Sequence, residues 1–243
     1  MLNVLKLAIL TSFISQKYRI KQRIKRLFSS ALLCGVMLFF TPVHAVLDQS
    51  KQVDGSRATD AQTILVLGDS LSAAYGLTQD EGWVNLLQNM FDENNQQYRL
   101  INAAISGETT DGGLARLPRL LAQHEPDILY IELGGNDGLQ GHPINKIRDN
   151  LSQMIRLAQA QKIHVLVQEM QIPTNYGRRY NQMFIDSFTA VANRYAVPTI
   201  PFFLEEIALN PELMQRDGIH PTGEAQPLIA TFMYDALLKV LHQ

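Results

Sequence analysis

Cysteine is nearly absent. The 243-residue chain holds one, Cys34, and it lies in a leader-like segment rather than in the body of the sequence. Without it the remainder has no thiol, which excludes disulfides, thiolate metal sites and a cysteine nucleophile there. Positive charge is also scarce past the first 45 residues. Those residues carry seven of the 21 Lys and Arg and none of the 23 acidic side chains, so the rest holds 14 basic against 23 acidic groups, a formal charge of −9. An acidic chain with no basic patch is a poor partner for nucleic acid. No G-x-S-x-G, G-x-x-x-x-G-K-[ST] or H-E-x-x-H occurs. These absences exclude the α/β-hydrolase nucleophile elbow, a phosphate-binding P-loop and a zincin motif.

The N-terminal segment has its own pattern. Basic residues between Lys6 and Arg26 precede a mostly apolar run of 14 residues, Leu27 to Phe40, followed by Thr41-Pro42-Val43-His44-Ala45. A basic region, a short apolar core and small residues make a secretory signal, cut after Ala45. The run is shorter than the roughly 20 residues a membrane-spanning helix needs. Leu33 stands before Cys34 where a lipid-attachment site calls for a small residue. The expected organisation is therefore a signal at 1–45, a short polar linker at 46–62 and one domain at 63–243. The mature protein is expected in the periplasm, without a stable membrane anchor.

Five apolar runs read as buried strands: Thr63–Gly68, Tyr98–Asn102, Asp127–Leu133, Ile163–Gln168 and Thr199–Phe202. Helical spacing lies between them. Trp83, Leu87 and Phe91 make one stripe; Leu114, Leu117 and Leu121 a second, with Pro118 as an expected kink or break. Ile147 to Ala158, Met183 to Tyr195 and Gly223 to Leu241 make three more. This alternation predicts an α/β fold with a parallel sheet covered on both faces. Ligands of such sheets collect beyond the carboxyl ends of the strands.

Those ends carry Gly68-Asp69-Ser70, Ser106-Gly107-Glu108, Gly134-Gly135-Asn136-Asp137 and, before the last helix, Asp217-Gly218-Ile219-His220. Ser70 needs a base to act as a nucleophile. His164 follows Ile163 in a strand and reads as a packed histidine, His124 and His142 read as solvated, and His242 is terminal. His220 alone has an edge-loop position with a carboxylate, Asp217, three residues earlier. Gly107, lacking a side chain, can bring its amide close to a substrate. Asn136 can add a side-chain N–H, and the Ser70 amide opens the following helix. Each segment could equally be a plain turn, and Asp69 is a rival nucleophile. Leu139, Ile172 and Pro173 flank the site and suit an acyl chain. Gly138 and Gly141 bracket Leu139 and Gln140, so this loop is expected to move on binding.

Taken in order, Gly68-Asp69-Ser70-Leu71, Gly107, Gly134-x-Asn136-Asp137 and Asp217-x-x-His220 resemble the four blocks of the GDSL, or SGNH, hydrolases. "GLARLP", "NYGRRYN" and "DGIHP" are similar to the bacterial periplasmic thioesterase/protease/lysophospholipase and arylesterase branch. Glu108 departs from the Asp common there. The resemblance implies a flavodoxin-like three-layer sandwich with five parallel strands. It implies a triad of Ser70, His220 and Asp217, and an oxyanion hole from Ser70, Gly107 and Asn136. It implies a serine esterase and thioesterase, a monomer acting on small acyl esters or thioesters, with no cofactor and no metal. The competing readings are a carbohydrate O-acetylesterase on the same fold and a non-catalytic flavodoxin-like binding domain.

Overall fold

The computed structural model describes residues 61–242. The expected signal at 1–45, and the linker up to residue 60, lie outside the described residues. Among the described residues no helix is long and apolar enough to cross a membrane.

The strands are β1 (Gln62–Gly68), β2 (Tyr98–Asn102), β3 (Ile128–Glu132), β4 (His164–Gln168) and β5 (Thr199–Ile200). They form one parallel sheet in the order β2-β1-β3-β4-β5. Ile64, Leu65, Val66 and Leu67 are all at most 1% exposed, as are Ile128 to Ile131. Successive side chains of a strand point to opposite faces, so burial of every residue means that both faces are covered. In register, Ile64 stands opposite Ile128 and Gly68 opposite Glu132, which brings the ends of the two central strands level.

Six helices are described: α1 (Trp83–Glu93), α2 (Thr110–His124), α3 (Gly135–Leu139), α4 (Ile144–Gln159), α5 (Arg178–Tyr195) and α6 (Gln226–Leu241). α1 packs on α6, and α2, α4 and α5 form a second packed row. Helices cover both sides of the sheet, as expected.

Several expectations need correction. Pro118 neither breaks nor ends α2, which runs through it to His124. The ring removes the donor for the Leu114 carbonyl, but Pro118 is on the exposed side, where water replaces that bond, while Leu117 and Leu121 stay buried. His164 is not packed: it is the first residue of β4 and is exposed. β5 stops at Ile200 because Pro201 has no N–H to extend the ladder. Gly135-Asn136-Asp137 open a short helix, α3, with Gly134 as its N-cap at φ +118°, and are not only a turn.

Gly138 is also not a hinge. It is buried within α3, where a Cβ would stand 2.8 Å from both Ile172 Cγ2 and Phe184 Cε2. The loop beyond α3 is tied down as well, by Tyr176 Oη donating to the Leu139 carbonyl at 2.8 Å and Tyr180 Oη donating to the His142 carbonyl at 2.8 Å. Any hinge freedom rests on Gly141, at φ +67° with open space around it. Gly138→Ala is therefore expected to destabilise by about 1–3 kcal/mol through overpacking. Thermal melting should fall by roughly 2–4 °C per kcal/mol lost; an unchanged melting temperature would mean that Phe184 and Ile172 yield freely.

Candidate active site

Ser70 sits just past β1, where the chain turns over the sheet edge. The turn is held from several sides. Asp69 Oδ1 accepts the Leu71 amide at 3.0 Å, and the Ala73 amide donates to the Asp69 carbonyl at 3.0 Å. Trp83, 1% exposed, donates its indole N–H to the Leu71 carbonyl at 3.1 Å. A buried aromatic of α1 thus fixes the segment carrying Ser70.

His220 comes from the other end of the chain. Its Nε2 stands 2.8 Å from Ser70 Oγ, and its Nδ1 2.7 Å from Asp217 Oδ2. Asp217 also builds the turn that presents the ring, because its Oδ1 accepts the amides of Ile219 at 2.9 Å and His220 at 3.0 Å. Burial works to raise the Asp217 pKa, but the His220 amide and ring and the Ile219 amide outweigh it and hold the carboxyl at about 2. The carboxylate therefore stays ionised and accepts at Nδ1, which leaves Nε2 bare to accept from the Ser70 hydroxyl.

Two residues outside the expected set complete this arrangement. Tyr75 stacks on the His220 ring with centroids 4.1 Å apart and planes 29° apart. Gln215 donates to the Tyr75 carbonyl at 2.9 Å and to the Pro221 carbonyl at 3.0 Å, joining the nucleophile loop to the histidine loop. Neither leaves a recognisable spacing in the sequence.

The remaining donors gather near Ser70. Asn136, near the start of α3, lines the same cavity as Ser70 and His220. Its side-chain amide, expected to donate to an oxyanion, donates here to Asp69 Oδ2 at 3.0 Å and to the Glu108 carbonyl at 2.9 Å. The second contact draws in the preceding residue, Gly107, at φ +81°, a conformation that suits glycine. Gly107 itself is exposed and is not part of the cavity lining. Among the described residues, no protein acceptor takes the amide hydrogens of Ser70 or Gly107.

Asp137, next to Asn136, is fully buried and braces the site. It accepts the Thr110 amide at 2.8 Å and the Thr110 hydroxyl at 2.6 Å, and His142 Nδ1 approaches it to 3.3 Å. His142 is thus partnered and not merely solvated.

The cavity measures about 520 Å³ and opens beside Ser70. Leu139, Ile172 and Pro173 line it as expected, together with Met170, Phe202, Leu204, Leu209 and Met214. The lining is chiefly apolar, with Asp69, Ser70, Asn136 and His220 among its polar groups.

A model of the GDSL-like lipase/acylhydrolase family matches residues 66–227. The chain belongs to this family. It is 47% identical over 181 residues to an arylesterase of Vibrio mimicus, a match covering 74% of this chain and 90% of that one. It is 45% identical over 177 residues to the thioesterase 1/protease 1/lysophospholipase L1 of Escherichia coli K12, covering 73% and 84%. Among solved structures, the psychrotrophic esterase EstA from Pseudoalteromonas sp., inhibited by monoethylphosphonate, aligns with a TM-score of 0.74 at 48% identity, over 75% of this chain and all of that one.

Proposed function

We propose that Ser70 is the nucleophile of a two-step acyl transfer, with His220 as general base and acid and Asp217 as the residue that orients it. The enzyme is an esterase and thioesterase of the GDSL family. The observation that carries the residue roles is the unbroken line from Asp217 Oδ2 through the imidazole to Ser70 Oγ, with contacts of 2.7 and 2.8 Å. These are hydrogen-bond distances suited to proton transfer.

The steps follow from that geometry. Ser70 Oγ attacks the acyl carbonyl carbon as Nε2 takes its proton. The carbonyl oxygen becomes an anion, met by the Ser70 and Gly107 amides and by Asn136, one of whose hydrogens is shared with the oxyanion as a three-centre bond. The imidazolium returns its proton to the leaving alcohol or thiol, and the acyl group stays on Ser70. Water, deprotonated by His220, then attacks the acyl-enzyme; the acid leaves and Ser70 regains its proton.

The apolar cavity favours an acyl chain over a sugar. Leu139, Ile172 and Pro173 contact that chain in this reading. The test is a series of p-nitrophenyl esters and acyl-CoA thioesters of increasing chain length beside acetylated sugars. kcat/KM is expected to improve from acetate to medium chains, since each buried CH₂ contributes about 0.8 kcal/mol. A preference for sugar acetates would favour the carbohydrate deacetylase instead.

We further propose a monomer exported to the periplasm by removal of residues 1–45, with 46–62 as linker and 63–243 as the catalytic domain. The basic and apolar character of the leader supports the export. Protein recovered from the periplasm is expected to begin at Val46 by N-terminal sequencing. An uncleaved, membrane-held product would overturn the export reading.

A further inference from the structure

We propose that Glu132, which no step of the reaction uses, is a positioning residue: from beneath the nucleophile turn it holds Asp69 and Ser72 on either side of Ser70, and through Asp69 it aims the Asn136 amide. The proposal rests on the reading of Ser70 as nucleophile.

Glu132 ends β3 and is fully buried, although every other residue of that strand is apolar. One of its oxygens, Oε2, accepts the Asp69 amide at 3.2 Å and the Ser72 hydroxyl at 2.7 Å. A single carboxyl oxygen thus grips the chain immediately before and two residues after Ser70. The approach is close enough that a Cβ on Gly68 would lie 2.7 Å from Oε2 and 2.9 Å from Ser72 Oγ. Only glycine fits there, which gives the first residue of Gly68-Asp69-Ser70 a physical reason.

The next link is Asp69, 2% exposed, whose backbone amide donates to Glu132 Oε2 at 3.2 Å. Asp69 Oδ2 accepts from Asn136, and its Oδ1 from the Leu71 amide. So one buried chain runs from Glu132 through Asp69 to both the nucleophile turn and the third oxyanion donor.

Asp69 and Glu132 are both buried, and neighbouring buried carboxyls resist being charged together. The other Glu132 oxygen, Oε1, is buried with no hydrogen-bond donor, so a full charge on this group would be poorly supported. Burial, reinforced by Asp69, pushes the Glu132 pKa well above the usual carboxylate range, while burial takes Asp69 only to about 6. With Oε1 unpartnered and Asp69 Oδ2 accepting from Asn136, we assign the proton to Glu132 and the charge to Asp69.

A neutral acid has a neutral mimic. Glu132→Gln keeps an acceptor for the Asp69 amide and Ser72, and its amide N–H₂ can donate to the Asp69 carboxylate. Glu132→Ala removes both and leaves Asp69 without its support. Steady-state kinetics on a short p-nitrophenyl ester, with melting curves, compare these two with Ser72→Ala. Glu132→Ala is expected to lower kcat by roughly 10²-fold, the effect of misplacing reacting groups by about 1 Å. KM should change little, and Glu132→Gln should restore most of the loss. If Glu132→Ala does not fold, Glu132→Gln and Ser72→Ala carry the test, with near-normal kcat expected for the first and a lowered kcat at unchanged KM for the second. Full kcat in folded Glu132→Ala would overturn the proposal. So would a collapse of kcat in folded Glu132→Gln, or an unchanged kcat in Ser72→Ala. Labelling of the wild-type enzyme at Ser70 by a fluorophosphonate separates the two readings: a wild-type protein that fails to label fails as a serine hydrolase, whatever the Glu132 variants do.

Discussion

Ser70→Ala removes hydrolysis of p-nitrophenyl esters and thioesters while the melting curve stays close to that of the wild type. The substitution deletes one oxygen whose described partner is His220 Nε2, at 2.8 Å. The turn that carries the residue is held by others: Asp69 through the Leu71 amide, Trp83 through the Leu71 carbonyl. No buried partner is stranded, since the imidazole is part-exposed and can turn to water. The loss of turnover should be large, roughly 10⁶-fold, because members of a nucleophile–base unit act together and removing one disables the rest. A fluorophosphonate should label the wild type and not the variant. The same pair of measurements separates an enzyme from a binding domain built on this fold. A folded Ser70→Ala protein with near-normal turnover would place the nucleophile elsewhere, with Asp69 the first residue to examine.

The parts of the fold that were legible in the sequence are those governed by burial alone. Ile64 to Leu67 and Ile128 to Ile131 are apolar without alternation because helices cover both faces of the sheet, and such runs mark a parallel strand. The stripes of α1, α4 and α5 were legible for the same reason. The edge-loop residues were legible because each strand end of a parallel sheet points the same way, so Ser70, Gly107 and Asn136 fall at one edge. What was hidden depends on pairings between distant residues. Gly-Gly-Asn-Asp reads as a turn by its composition, while α3 packs Gly138 against Phe184 and Ile172, residues distant in sequence. Asn136 read as an oxyanion donor, but its two resting acceptors, Asp69 and the Glu108 carbonyl, lie 67 and 28 residues away. Tyr75 left no signal, since its stacking on His220 joins opposite ends of the domain. Glu132 did leave one. An acid closing a wholly apolar strand has no solvent to reach, and a buried carboxyl without a basic partner points to a proton or a second carboxyl beside it.

Asp217→Asn keeps the shape of the site and reverses the direction of its hydrogen bonds. Asp217 Oδ1 accepts two backbone amides, from Ile219 and His220, and those donors hold an oxygen at that position. In the variant the amide oxygen takes that place, so the N–H₂ must face His220 Nδ1, 2.7 Å from the other carboxylate oxygen. An N–H₂ there is a donor, and Nδ1 must then accept. The ring proton moves to Nε2, which points a hydrogen at Ser70 Oγ and has no lone pair to take one. The base is lost though nothing has moved. Turnover should fall by roughly 10⁴-fold, the scale of a wrong tautomer in such a triad. KM should change little, because Asp217 is not part of the cavity lining. Stability should change little as well. The lowered pKa means that ionised Asp217 supports the fold above the usual carboxylate value, and that support is lost as the pH falls through about 2. With its side chain 38% exposed, solvent screens most of that contribution. Asp217 is therefore charged at any pH near neutrality, and the acid limb of the wild-type kcat/KM profile belongs to another group. Asp217→Asn enzyme with the melting curve and KM of the wild type but a collapsed kcat is the expected result. Wild-type turnover in that variant would mean that the ring is oriented by something other than Asp217, with Tyr75, stacked on its face, as the remaining contact.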